Sequence, residues 1–114
     1  CNIMDNSIKE SLEHANKMRV FNNQLRLLKE KYLERNIYFT IGHQFTINLQ
    51  LINYCITLKN QNKIKDVIML DDYDLPVRIA DLEIFYNNIM DLYQQNLNAY
   101  IVEYNALVQD KGRI

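Results

Sequence analysis

The chain has 114 residues, enough for one domain with a modest core. Hydrophobic residues make up 48% and charged ones 24%, a balance that excludes a disordered chain. A formal net charge of −1 leaves no global basic field to hold nucleic acid or an anionic membrane, so neither is expected as a partner.

The charge is mildly uneven: residues 1–36 carry seven Lys/Arg against five Asp/Glu, and residues 37–114 carry six against nine. That asymmetry is too small to mark a nucleic-acid arm. Two Gly and one Pro imply few loops and long regular elements. Cys1 and Cys55 make no disulfide framework, and Cys55 falls inside an apolar helical pattern as a small buried hydrophobe. Cys1 fits removal of an initiator Met better than a lipidation site, because a helix starts within a few residues and leaves no polar tether. No signal peptide is visible, and no stretch reaches the ~18 apolar residues of a membrane span.

Ser7-Ile8-Lys9-Glu10 has the form of a capping box and predicts a helix from Ser7 to about Leu33. Such a helix is about 40 Å long. Met18, Phe21, Leu25, Leu28 and Tyr32 recur at 3-4-3-4 spacing, the two-per-heptad seam of a coiled coil. Residues 1–36 therefore read as a helical arm, with those five residues as a partner or oligomer interface. The alternative is a helix lying along its own domain.

Residues 37–114 read as a small α+β domain. Ile37, Phe39 and Ile41 alternate with Tyr38 and Thr40, and Phe45 and Ile47 alternate with Gln44 and Thr46 around Gly42-His43. Period-two alternation on both sides of a glycine predicts a hairpin, with a helix starting near His43 as the alternative. A helix from Asn48, as N-cap, to Asn60 follows, with Leu49, Ile52, Cys55 and Ile56 as its buried stripe and Leu51 and Leu58 beside it. After the polar loop 60–63, a second hairpin runs from Lys65 to Ile79, turning at Asp71-Asp72-Tyr73-Asp74.

The last helix spans about Ala80 to Gln109, with Leu82, Tyr86, Ile89, Tyr93, Leu97, Tyr100, Tyr104 and Leu107 on one stripe. Phe85, Leu92 and Ile101 add a second flank. Gly112 comes too late to cap it tightly. The expected fold is α+β: a long N-terminal helix and two hairpins forming a small antiparallel sheet, covered by a middle helix and a long C-terminal helix.

Little of the sequence carries chemistry. His14 and His43 stand on different elements with no zinc-ligand spacing and read as solvent-facing or turn histidines. Asp71, Asp72 and Asp74 lack the glycine and the distal glutamate of a calcium loop, with Leu75-Pro76 in the way. They read as charges on a hairpin tip that discourage edge pairing. Asp81, Glu83 and Asp91 suit the positive end of a helix dipole better than an acid pair. The tyrosines of the last helix lack interleaved Lys/Arg and so read as packing, not as a base-stacking platform. No enzyme, catalytic residue, metal or cofactor is expected.

From Ile37 onward the sequence resembles a small α+β domain of unknown function found in tailed-phage proteins, beside or within tail-fibre assembly chaperones. The resemblance rests on a strand passing through glycine to an aromatic (Phe39, Gly42, Phe45) and a helix opening with Asn and Gln (Asn48, Gln50, Asn53). It continues through an acidic turn into a second strand (Asp72, Asp74, Pro76, Val77, Ile79), a helix opening on Asp81-Leu82-Glu83 and an aromatic-rich end (Tyr100, Tyr104, Ala106, Leu107). Ala80 stands where that domain carries Ser or Thr, which moves the cap to Asp81, and the chain has no Trp.

The resemblance implies a non-enzymatic virion or tail-assembly protein, in the particle or in the host cytoplasm during assembly. It would bind a phage tail component and oligomerise through its helices. The rival readings are a small phage-encoded inhibitor of a host protein and a bacterial lipoprotein anchored at Cys1.

Overall fold

A computed structural model describes residues 2–112, with side chains described for 7–110; Cys1 lies outside the described residues. The element order is α1 (Asn2–Arg35), β1 (Ile37–Thr40), β2 (His43–Thr46), α2 (Leu49–Asn60), β3 (Lys65–Leu70), β4 (Pro76–Asp81) and α3 (Leu82–Gly112). This is the α+β arrangement with long terminal helices that the sequence predicts. The chain forms two compact units: one joins α1 up to Lys31 with α3 from Ala99, and the other runs from Tyr32 to Asn98. The expected boundary at 36/37 kept all of α3 with the strands, whereas the end of α3 groups with α1.

In the unit from Tyr32 to Asn98, hairpin β1–β2 closes through Ile41 and Gly42, both at positive φ (53° and 76°). Two such residues make a two-residue turn whose twist matches the strands. Glycine meets this demand without strain, while the β-branched Ile41 must be held there by the pairing on either side. The core face of the hairpin is Tyr38, Phe45 and Ile47, and Phe85 makes edge-to-face contacts with the Tyr38 and Phe45 rings at centroid distances of 5.7 Å and 5.2 Å. Phe39 and Ile41 point outward, so the apolar alternation on β1 marks the exposed face.

Asn48 caps α2 as expected: its side-chain oxygen accepts from the Leu51 amide at 2.9 Å. The stripe is turned from the predicted one. Ile52 and Cys55 are buried, with Leu51 and Leu58 packed beside them, but Leu49 and Ile56 face solvent. Asn62, at φ 58°, ends the helix in the left-handed conformation.

Hairpin β3–β4 pairs Val67 with Ile79, Ile68 with Arg78 and Met69 with Val77. Val67, Met69, Val77 and Ile79 face the core, while Ile68 and Leu70 stay outside. Pro76 opens β4, where a missing amide is tolerated. Asp81 caps α3, accepting from the Glu83 and Ile84 amides at 3.0 and 3.3 Å and from Lys65 Nζ at 3.1 Å. Leu82, Phe85 and Ile89 complete the core.

Two further expectations are corrected. The hairpins do not pair into one sheet but form two two-stranded sheets. The helix α1 starts at Asn2, which leaves Ser7 inside it and rules out the capping box as its start. The helix α3 starts at Leu82 with the Asp81 carboxylate as its cap, the position to which Ala80 moves it in the sequence.

Asn36 and Asn96 are buried polar residues that satisfy each other. The Asn96 side-chain amide donates to Asn36 Oδ1 and to the Arg35 carbonyl, both at 2.8 Å, while the Asn36 carbonyl accepts from the Ile47 amide. Together they tie the end of α1 to α3 and to β2.

In the other unit, α1 and α3 run antiparallel. Lys31 Nζ lies 3.3 Å from Glu103, Phe21 and Gln24 share a cavity with Leu107, and Lys17 shares it with Asp110. Partner numbers fall along α3 as they rise along α1.

Candidate functional site

Two features stand out: the helix pair and a polar knot between the hairpins. On the helix pair, the seam residues share one face of α1. Leu28 is buried, and Met18, Phe21, Leu25 and Tyr32 are half-buried. All the other described α1 side chains before Arg35 are exposed. The 3-4-3-4 spacing thus picks out the buried face of the helix. Within the helix-pair unit, Phe21 and Leu28 approach Leu107 of the same chain in two cavities of about 230 and 300 Å³.

The helix pair does not cover its own apolar surface. Leu28 is the one buried residue among its described side chains. Val20, Leu27, Ile101 and Val102 are all more than half exposed, and Tyr104 and Val108 about 40%. Ile101, Tyr104 and Val108 follow 3-4 spacing, so α3 carries an exposed stripe of its own at heptad intervals.

The polar knot is built by Asp71 and Asp72. Asp71 is buried in the turn after β3 and accepts from the Tyr73 and Leu75 amides at 2.8 and 2.9 Å, while His43 Nδ1 donates to it at 2.7 Å. The His43 bond, ahead of the two amides, holds the Asp71 carboxyl below its ordinary value. Asp72 behaves as a one-residue strand laid on β2. Its amide donates to the Gln44 carbonyl at 2.9 Å, and its carboxylate accepts from the Thr46 amide, the Thr46 hydroxyl and the Gln44 side chain at 2.8, 2.7 and 3.0 Å.

The expectation that these aspartates merely charge a hairpin tip is therefore corrected for Asp71 and Asp72, which join the hairpins where no strand pairing does. His43 is likewise not a solvent-facing turn residue but is held by Asp71. Asp74, at φ 60°, remains an exposed turn residue.

The remaining candidates stay apart. His14 is exposed on α1, Glu83 sits in the first turn of α3, and Asp91 is exposed further along it. Among the described residues, no group of three or more His, Cys, Asp or Glu is placed to hold a metal ion. Burial pushes the Cys55 thiol up to about 11, which keeps it in the unreactive thiol form. Of the tyrosines on α3, Tyr86, Tyr93 and Tyr100 are half-buried, the first beneath Lys59 Nζ at 4.2 Å. No helix among the described residues is long and apolar enough to cross a membrane.

Compared with family models, with curated proteins and with solved structures, the chain matches none.

Proposed function

We propose that this chain is a non-enzymatic assembly protein that works by protein–protein binding and self-associates through its helix pair. The observation that carries the reading is the exposed heptad stripe Ile101, Tyr104 and Val108, beside a seam on α1 that is only half covered. Two helices alone cannot shield apolar residues on more than one face of each. A second helix pair would complete a four-helix bundle and bury them. Met18, Phe21, Leu25, Leu28 and Tyr32 then form the inner seam, shared between α3 of the same chain and the partner copy.

The setting proposed is phage tail or tail-fibre assembly, with a tail component as the further protein partner. It rests on the resemblance of the segment from Ile37 onward. Light scattering on the full chain tests the self-association. Replacing Phe21 and Leu25 together by Asp should reduce the mass to one copy while the unit from Tyr32 to Asn98 stays folded, and an unchanged mass defeats the claim. Co-purification with virions, against recovery from host lysate alone, tests the setting.

A further inference from the structure

A second surface lies along the free edge of β3. Two cavities of about 520 Å³ each share Tyr54 and Ile68, so they join into one groove. Leu51, Tyr54 and Leu58 of α2 line one wall, consecutive residues of β3 line the other, and Phe45 and Thr46 of β2 join the lining beside Asp72. No residue of β4 lines the groove, so it follows the side of β3 that faces away from β4, its strand partner among the described residues.

The backbone of that edge is free to pair. The Asp71 amide donates to the Leu75 carbonyl, which makes 71/75 a hydrogen-bonded pair of the ladder. Antiparallel ladders alternate, so Met69 and Val67 also bond across to β4. Ile68 and Leu70 consequently direct their amides and carbonyls into the groove. Their side chains are 50% and 60% exposed, and no Lys or Pro guards this stretch, the usual protection of a sheet edge. Protection appears only at the start of the strand, where Lys65 is charged and Asp66 sits at φ 50°, breaking the extended backbone.

The charge of the groove selects its occupant. Beyond Leu70 the lining is Asp71, Asp72 and Asp74. His43 engages Asp71, but the donors that meet the Asp72 carboxylate are the Gln44 and Thr46 amides and the Thr46 hydroxyl, all neutral, and Asp74 is exposed. At the other end the lining includes Lys63 and Lys65, the latter paired with Asp81, so the acidic end of the groove is the one beyond Leu70.

We propose that the β3 edge binds an extended peptide segment of a protein partner, added antiparallel as a third strand. The segment has alternating apolar residues and a Lys or Arg at its N-terminal end, which meets Asp72 and Asp74. Main-chain bonds to Ile68 and Leu70 hold it, Tyr54 and Leu51 receive its apolar side chains, and the aspartates set its direction. This surface is separate from the helix pair, and the inference stands whether or not the chain self-associates.

The test pans the full-length protein against a display library of short random peptides and maps the enriched peptide by amide chemical shifts. Enriched sequences should open with Lys or Arg followed by alternating apolar residues, and the shifts should centre on residues 66–70 and Tyr54. Asp74→Asn, and separately Ile68→Lys, should each weaken binding by about tenfold without lowering the melting temperature. The proposal is overturned by a failure to enrich any peptide, by enrichment of acidic or uncharged peptides, or by shifts elsewhere. It is equally overturned if the Ile68 and Leu70 amides become protected with rising protein concentration and no peptide, because a second copy then covers the edge.

Discussion

Replacing Asp72 by Ala removes one of the two aspartate side chains that join the hairpins and leaves the Asp71–His43 contact in place. The substitution removes an acceptor that holds the Thr46 amide at 2.8 Å, the Thr46 hydroxyl at 2.7 Å and the Gln44 side chain at 3.0 Å. The backbone bond from the Asp72 amide to the Gln44 carbonyl is untouched. Intramolecular hydrogen bonds contribute about 0.5–1.5 kcal/mol each, and exposure of the site places these at the low end, so the loss should be about 2 kcal/mol. Asp72→Asn keeps one acceptor oxygen and should recover roughly half of that. Urea unfolding gives the stability, and hydrogen exchange of the Thr46 amide reports the local effect, with protection falling in the Ala variant and partly returning in the Asn variant. A loss below about 0.5 kcal/mol with Thr46 protection unchanged would refute the idea that Asp72 stands in for strand pairing.

Other outcomes follow from the same structure. The Asp71 carboxyl is held below its ordinary value of 3.8, chiefly by His43, so its contribution to stability is fully present above that pH and is lost as pH falls through the lowered value. Urea midpoints should drop on acidification below pH 4 less steeply in Asp71→Asn than in the parent chain, and equal slopes would count against the assignment. Ile89 has no exposed surface, and Ile89→Ala should cost about 2–5 kcal/mol in urea unfolding. The Cys55 thiol, pushed up to about 11 and buried, should resist alkylation in the native chain and react once the chain is unfolded, as peptide mass mapping would show.

The parts of this fold that local chemistry determines were legible in the sequence. Asn48 caps α2 through its own side chain, Gly42 closes a hairpin because it accepts positive φ, and Asp81 takes the capping role that Ala80 cannot. The half-buried face of α1 was visible because helical spacing records which residues face a partner, although spacing does not say whether that partner is the same chain.

What escaped was non-local. Asp72 meets Gln44 and Thr46 across 28 and 26 residues, and nothing in an Asp-Asp pair distinguishes a turn charge from a substitute strand. Asn36 and Asn96, 60 residues apart, read as ordinary surface polars until each is seen to satisfy the other. On β1 the amphipathic Tyr38 took the core face and left Phe39 outside, reversing the simple rule that the apolar set points inward. The sequence offered no signal for the β3 groove, since a free edge exists only once the two hairpins fail to pair.

The central claim is that the helix pair associates with another copy through its exposed apolar stripe. Light scattering of the full chain beside an Ile101→Glu/Val108→Glu variant tests it most directly, because both side chains face solvent within one chain and their loss leaves that chain's fold intact. The account predicts a mass of two or more copies for the parent chain and 13.7 kDa for the variant. A parent chain that stays at 13.7 kDa as its concentration rises, or a variant that retains the larger mass, would contradict it.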